Sequence, residues 1–331
     1  MALGRGVPVA APGRRERLPL SDVRERLSQL AFELARSFVG YARWVVRDAT
    51  TPSLHSYLGW LVGLTSVVYF AERARPWLAW PRRAADDLRG VVYAWLNFFG
   101  FGLLGFAAVS DVTAAHTTAF VESLGVHRLT LPIAHPLATA ALYLVVRDLI
   151  EYGIHRLLHR VPALWRIHAV HHAPREMSVF VHLRFHPLET VVYRTLEFLP
   201  MWLLGFGAGD FFVAHIAALL VGHLNHANLR VPLGPLRYVF NSSEMHLLHH
   251  AKELPAGASA RHRGVNFGLT FSVWDFLFGT ASLPSSPRNA PIPLGFEGVE
   301  AYPEALPAAM LAPFRHRTKP IRGGESRDDA S

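Results

Sequence analysis

His155-Arg-Leu-Leu-His159, His168-Ala-Val-His171-His172 and His246-Leu-Leu-His249-His250 are the stretches that decide how this chain is read. The first sets imidazoles at i and i+4, and the other two set them at i, i+3 and i+4. In an α-helix each of these spacings collects its histidines on one face, within a turn of one another. Three helical segments thus present eight imidazoles near enough to share a ligand site.

The plain reading of a histidine is a satisfied core or surface residue, and His116, His127, His135 and His316 are read that way among the 19 histidines of the chain. The eight at ligand spacing are different. A buried polar group left without a partner costs about 1–3 kcal/mol, and protonating crowded imidazoles would set like charges side by side. A metal removes both penalties. Cysteine is absent, so there is no thiolate nucleophile, no disulfide and no iron–sulfur cluster, and any metal is held by histidine and carboxylate. A structural zinc takes about four ligands and a catalytic zinc about three, so this many histidines calls for two ions. Zinc hydrolysis is disfavoured further because no His-Glu-x-x-His signature occurs. Asp148 and Glu151 precede His155 on the same helical face, where a carboxylate accepts the second ring N–H of a ligand. Pairing with Arg147 or Arg156 is the plainer alternative for both.

Around these motifs the chain is apolar. Of its 331 residues, 51% are hydrophobic and 18% charged, against roughly a quarter charged in soluble domains. Tyr57–Ala71, Val91–Val109, Pro136–Ile150, Val191–Gly205 and Phe211–Gly222 are expected to enter a bilayer. Ser28–Val46, interrupted by Glu33, Arg36 and Arg43, is expected to be an interfacial amphipathic helix. The expected fold is therefore an all-α integral membrane protein of about four to six membrane helices, with a cytoplasmic histidine-rich helical cap holding a di-metal site. Residues 1–20 and 312–331 are polar, Arg-rich and aperiodic, and are expected to be disordered. The formal charge of +8 raises the question of nucleic acid, but no nucleic-acid motif occurs and no such partner is expected. Arg73, Arg75, Arg82 and Arg83 instead flank an apolar stretch, as cytoplasmic loops of membrane proteins do. Alternation from that loop puts residues 155–188 and 226–331 on the cytoplasmic side, in a bacterial inner membrane or an ER-like one. No cleavable signal peptide is expected, since no apolar run follows the basic start.

In their order and spacing these motifs resemble the fatty acid hydroxylase and sterol desaturase superfamily of membrane di-iron proteins. That family carries a His-x3-His box and then two His-x2-His-His boxes. Leu164-Trp165, His186-Pro187-Leu188-Glu189, His226-Ala227-Asn228, Asn266-Phe267-Gly268 and Trp274-Asp275-Phe276-Leu277-Phe278-Gly279-Thr280 match its further elements. The resemblance implies two iron ions and O₂-dependent hydroxylation or desaturation of a fatty acyl, sterol or related lipid. Carried over residue by residue, it implies His155, His159, His168, His171, His172, His246, His249 and His250 as ligands, with His226 as a ninth. His223, on the face of His226, is a further candidate. Asp148, Glu151, His186, Glu189 and Asn228 are expected to support the ligands, and His182 is placed with them. His186-Pro187 also reads as a helix start. The domains expected are a basic tail at 1–20, N-terminal membrane helices at 21–135, a catalytic domain at 136–282 and a C-terminal tail at 283–331. No cytochrome b5 module is expected in the chain, which has neither room nor motif for one, so electrons are expected from a separate cytochrome b5-, ferredoxin- or rubredoxin-like protein docking on the basic face. The alternative class is a non-catalytic metal-binding membrane protein or metal transporter, which would set its ligands at mid-membrane depth.

Overall fold

The computed structural model describes residues 20–51, 53–81, 84–97, 107–129, 135–206, 208–255, 263–284 and 290–315. Among these residues the chain is all-helical, and its only β pairing is two isolated bridges, Phe240 with Phe271 and Ala251 with Leu294. In chain order the helices are α1 (Leu20–Thr50), α2 (Tyr57–Ala74), α3 (Ala84–Trp95), α4 (Ala107–Ser123), α5 (Pro136–Arg160), α6 (Pro162–His172), α7 (Pro187–Leu203), α8 (Ala208–His226), α9 (Ser243–His249), α10 (Val273–Leu277) and α11 (Leu306–Arg315).

Proline sets the boundaries that matter most. Pro136, Pro162 and Pro187 each open a helix at its first turn, where the missing N–H goes unused. Val161 ends α5 and begins α6 in one extended residue, φ −90° and ψ 116°, because the residue before proline is pushed out of the α region. The break turns the chain back on itself, so that the first two histidine motifs lie on adjoining helices. His186 caps α7, its Nδ1 accepting from the Leu188 N–H at 3.1 Å, as the helix-start reading anticipates. Ser242 caps α9 by accepting from the Met245 N–H.

Helix α5 is the organising element, packed against α6, α7 and α8, while α8 in turn meets α2 and α9. Trp165 of α6 lies in a core with Tyr93, Ala169, Val170, Phe296, Val299, Tyr302, Ala309 and Ala312. That core revises the expectation of a tail from residue 283. The stretch 290–315 folds back on α6 because it carries the apolar side chains that cover Trp165. Ala312 is buried and α11 runs to Arg315, so the polar end of the chain starts later than residue 312. Residues 1–19 and 316–331, His316 among them, lie outside the described residues.

Among the described residues no helix is long and apolar enough to cross a membrane. Within the described residues the expected apolar stretches are nonetheless largely helical. Pro136–Ile150 begins α5, which goes on through Glu151 and Arg156; Val191–Gly205 lies in α7 as far as Leu203, and α7 also carries Glu189 and Glu197. Arg147 of α5 is buried in ion pairs with Glu151 and with Glu197. Val91–Val109 reaches into residues 98–106, outside the described ones.

Candidate metal centre

Each helix that carries a motif delivers it to one place. The end of α5 brings His155 and His159; α6 brings His168, His171 and His172; the end of α8 brings His226; and α9, with its cap, brings His246, His249 and His250. All nine are buried, the most accessible being His171 at 7%. They form two groups. His155, His159, His168, His172 and His249 make one, and His171, His226, His246 and His250 the other. Within each group one ring nitrogen per residue lies within 4.8 Å of the others. Ligands about 2.1 Å from an ion sit at most about 4.2 Å apart across it, so each group has roughly the span of one coordination shell. The groups adjoin, with the His172 and His250 rings stacked at 4.4 Å.

The hydrogen bonds decide what these nitrogens can do. His155 Nδ1 donates to the Phe267 carbonyl at 2.9 Å, His159 Nδ1 to Arg263 at 3.3 Å and His249 Nδ1 to Val265 at 2.8 Å. His171 Nδ1 donates to the Arg184 carbonyl at 3.1 Å, and His226 Nδ1 to Gly222 at 2.7 Å. His168 Nδ1 donates to Glu189 Oε1 at 3.0 Å. A carbonyl only accepts, so in the five rings bonded to carbonyls the proton is on Nδ1 and Nε2 carries a lone pair; the Glu189 carboxylate, when ionised, sets His168 the same way. The lone pairs then face one another: Nε2 of His155 and of His168 are 3.2 Å apart, as are Nε2 of His171 and of His226. His159 Nε2 and His249 Nε2 are buried with no hydrogen-bond partner. Protons do not resolve this, because burial holds the imidazoles neutral, with His155 lowered to about 3 and His171 to about 4. Neutral imidazoles with buried, converging lone pairs fit a pair of cations.

Of the residues expected to support the ligands, Glu189 bonds to one of the nine. Burial pushes its carboxyl up to about 7, against the pull of His171 and His186. Asp148 spends its oxygens on the Thr270 and Phe271 N–H groups and on Trp274 Nε1, at 2.7–3.0 Å, none of which is an imidazole. Glu151 takes the plainer alternative and pairs with Arg147. Sharing a helical face with His155 did not suffice, because the second ring nitrogen of His155 already has the Phe267 carbonyl. His186 Nε2 donates to the Met310 carbonyl at 3.0 Å, which ties α7 to α11. Asn228 holds the α2–α3 connection through both Leu78 backbone groups and accepts nothing from a histidine. His223 stands outside both groups, with Nε2 at 2.9 Å from Thr65 Oγ1 and Nδ1 at 2.7 Å from His182 Nδ1. His182 stacks on His226 at 5.0 Å. His116 pairs with Glu33 on the surface. Trp165, fully buried, packs against His159 and His172 at 5.1 and 5.4 Å. The carbonyls at 263, 265 and 267 are invisible to residue-type reasoning, since any residue supplies one; the nearby Asn266-Phe267-Gly268 motif was the available signal.

The family model for fatty acid hydroxylase matches residues 140–280, the stretch that carries all nine histidines. Over residues 140–280 the chain is thus similar to the fatty acid hydroxylase family. Ornithine lipid hydroxylase OlsE of Rhizobium tropici is 29% identical over 254 residues, 76% of this chain and 73% of that protein. Methylsterol monooxygenase 1 of Rattus norvegicus is 30% identical over 142 residues, 41% of this chain and 44% of its own length. Alkylglycerol monooxygenase of Xenopus tropicalis is 28% identical over 131 residues, 39% of this chain and 27% of its own length. The chain thus spans less than half the length of the last two relatives. No solved structure matches.

Proposed function

We propose that the two histidine groups hold two iron ions, and that the chain uses them with O₂ to hydroxylate or desaturate a lipid C–H bond. The observation that carries this reading is the set of nine buried imidazoles whose lone pairs converge in two groups inside a fatty acid hydroxylase domain. The relatives are lipid hydroxylases and monooxygenases, which makes the chain an oxidoreductase. His155, His159, His168, His172 and His249 would hold one ion, and His171, His226, His246 and His250 the other. Bound iron supplies the one-electron chemistry and O₂ activation that no side chain of this chain can supply. Hydroxylation balances as R–H, O₂, two electrons and two protons giving R–OH and water.

The chain's own part is positional. The carbonyls of residues 184, 222, 263, 265 and 267 and the Glu189 carboxylate hold six of the nine rings in one tautomer, with Nε2 inward. Burial excludes water from the oxidising site. Substrate would arrive from a bilayer, a reading supported by apolar side chains exposed on several helices, such as Val67 and Phe70 of α2, Val145 and Leu149 of α5, Leu196 of α7 and Val213 of α8. The histidine groups would face the cytoplasm. A separate cytochrome b5-, ferredoxin- or rubredoxin-like protein would deliver the electrons. Lipid mass spectrometry of cells with and without the chain tests the reading. A lipid gaining 16 Da, or losing 2 Da, only where the chain is expressed is expected, and two irons per purified chain should accompany it. An unchanged lipid profile together with zinc in place of iron would overturn it.

A further inference from the structure

Three of the imidazoles in the five-histidine group donate to carbonyls of one short segment. His159, His249 and His155 bond to residues 263, 265 and 267, each second residue in turn. In the four-histidine group, the bonds of His171 and His226 go elsewhere, to Arg184 and Gly222. We infer that residues 263–268, held in shape by Asn266 and Asp275, are a positioning element for the five-histidine ion and not for its neighbour. The inference rests on the reading of both groups as metal sites.

The segment belongs to no helix or strand, and its backbone is strained. Arg263 has φ +55° and Asn266 φ +54°, a left-handed conformation that asparagine tolerates better than most residues and that persists only when its surroundings hold it. Asn266 supplies that hold. Its Nδ2 donates to the Met245 and Ser282 carbonyls, each at 2.8 Å, while Oδ1 accepts from the Ser282 N–H at 2.7 Å. The backbone N–H of Asn266 donates to Thr280 at 3.0 Å. Asp275 completes the frame by accepting from the Phe267 and Gly268 N–H groups at 2.7 and 2.8 Å and from Thr280 Oγ1 at 2.6 Å. There is no slack. A Cβ on Gly268 would lie 2.3 Å from the Phe271 carbonyl, and one on Gly264 would lie 2.7 Å from the Phe267 ring and 3.3 Å from His159 Nδ1. Bonds to Met245 and Ser282 therefore fix the direction in which three carbonyls point, and those carbonyls fix three ligand tautomers.

The chemistry makes the claim selective. Aspartate at position 266 keeps the size of asparagine but offers no donor to the Met245 and Ser282 carbonyls. Asparagine at 275 turns one acceptor into a donor facing a backbone N–H. Glycine at 266 adopts φ +54° freely but loses the side-chain bonds. Losing an outer partner of a ligand typically weakens metal binding about 10–100-fold. The test is cobalt(II) titration of the metal-free full-length protein in detergent, followed by ligand-field absorption and metal analysis. Wild type should take up two ions in two steps. Asn266→Asp, Asn266→Gly and Asp275→Asn should keep one step unchanged and weaken the other about 10–100-fold, with helical circular dichroism unaltered. Two unchanged steps in all three variants would overturn the inference, and so would equal weakening of both steps, the mark of a segment that only supports the fold. If Asn266→Asp or Asp275→Asn fails to fold, Asn266→Gly decides. Wild type taking up fewer than two ions would instead refute the metal reading, and this inference with it.

Discussion

Replacing Glu189 measures how far a single hydrogen bond sets the affinity of a buried ion. His168 is 2% exposed and Glu189 is 7% exposed, and Glu189 Oε1 is the acceptor for His168 Nδ1 at 3.0 Å. In Glu189→Leu that N–H keeps its burial and loses its partner, which costs about 1–3 kcal/mol. The ring is also released to turn or to change tautomer, either of which moves the Nε2 lone pair off the ion. At about 1.4 kcal/mol per factor of ten, affinity at the five-histidine group should fall about 5- to 150-fold. Glu189→Gln keeps an acceptor oxygen in place but gives up the charge-assisted bond, which is roughly twice as strong as a neutral one. Its loss should be a few-fold. Iron retained during dialysis against chelators of graded strength gives the number, and lipid turnover should follow it. If Glu189→Leu keeps both ions at wild-type affinity, or if Gln and Leu are equally damaging, the reasoning from the His168–Glu189 bond is wrong.

Removing a ligand should be more severe than removing its support: His249→Ala and His171→Ala, one from each group, should abolish lipid oxidation in folded protein, and His116→Ala, far from both, should leave it intact. Turnover in either ligand variant contradicts the assignment. Acid should destabilise the metal-free chain, since burial holds His155 at about 3 and His171 at about 4, below the roughly 6.5 of an unfolded chain. The unfolded state then binds more protons, so the thermal midpoint should drop as pH falls from about 6.5 to about 4 and stay level from 7 to 9; a midpoint that rises on acidification would reverse the sign. Single cysteines at Ala84, Pro174 and Ser326, in a chain with none of its own, should all be labelled from the cytoplasmic side of intact cells or vesicles. Opposite labelling of Ala84 and Pro174 would separate the arginine-rich loop from the histidine groups and break the proposed topology.

The sequence by itself determined the ingredients. Histidines at i, i+3 and i+4 have to share a helical face, and Pro162 and Pro187 have to open helices, whatever surrounds them. Eight of the nine candidate ligands were therefore legible as a set from spacing, and His226 only through the family resemblance. Their division between two groups was decided by the tertiary structure, and it does not follow the motifs. Each residue turns an α-helix by about 100°, so residues four apart diverge by only about 40°, while neighbours diverge by the full step. His168 and His172 accordingly enter one group while His171 enters the other, and His246 and His250 enter one while His249 enters the other. Which group each pair joins depends on how α5, α6, α8 and α9 pack, and on His226, twenty or more residues from any box. The supporting shell was less legible still. Asp148 had the right spacing and the wrong partners, because Thr270, Phe271 and Trp274 reach its carboxylate. The acceptors that orient most of the rings are backbone carbonyls, which every residue possesses, so only the folded path of the chain could single them out.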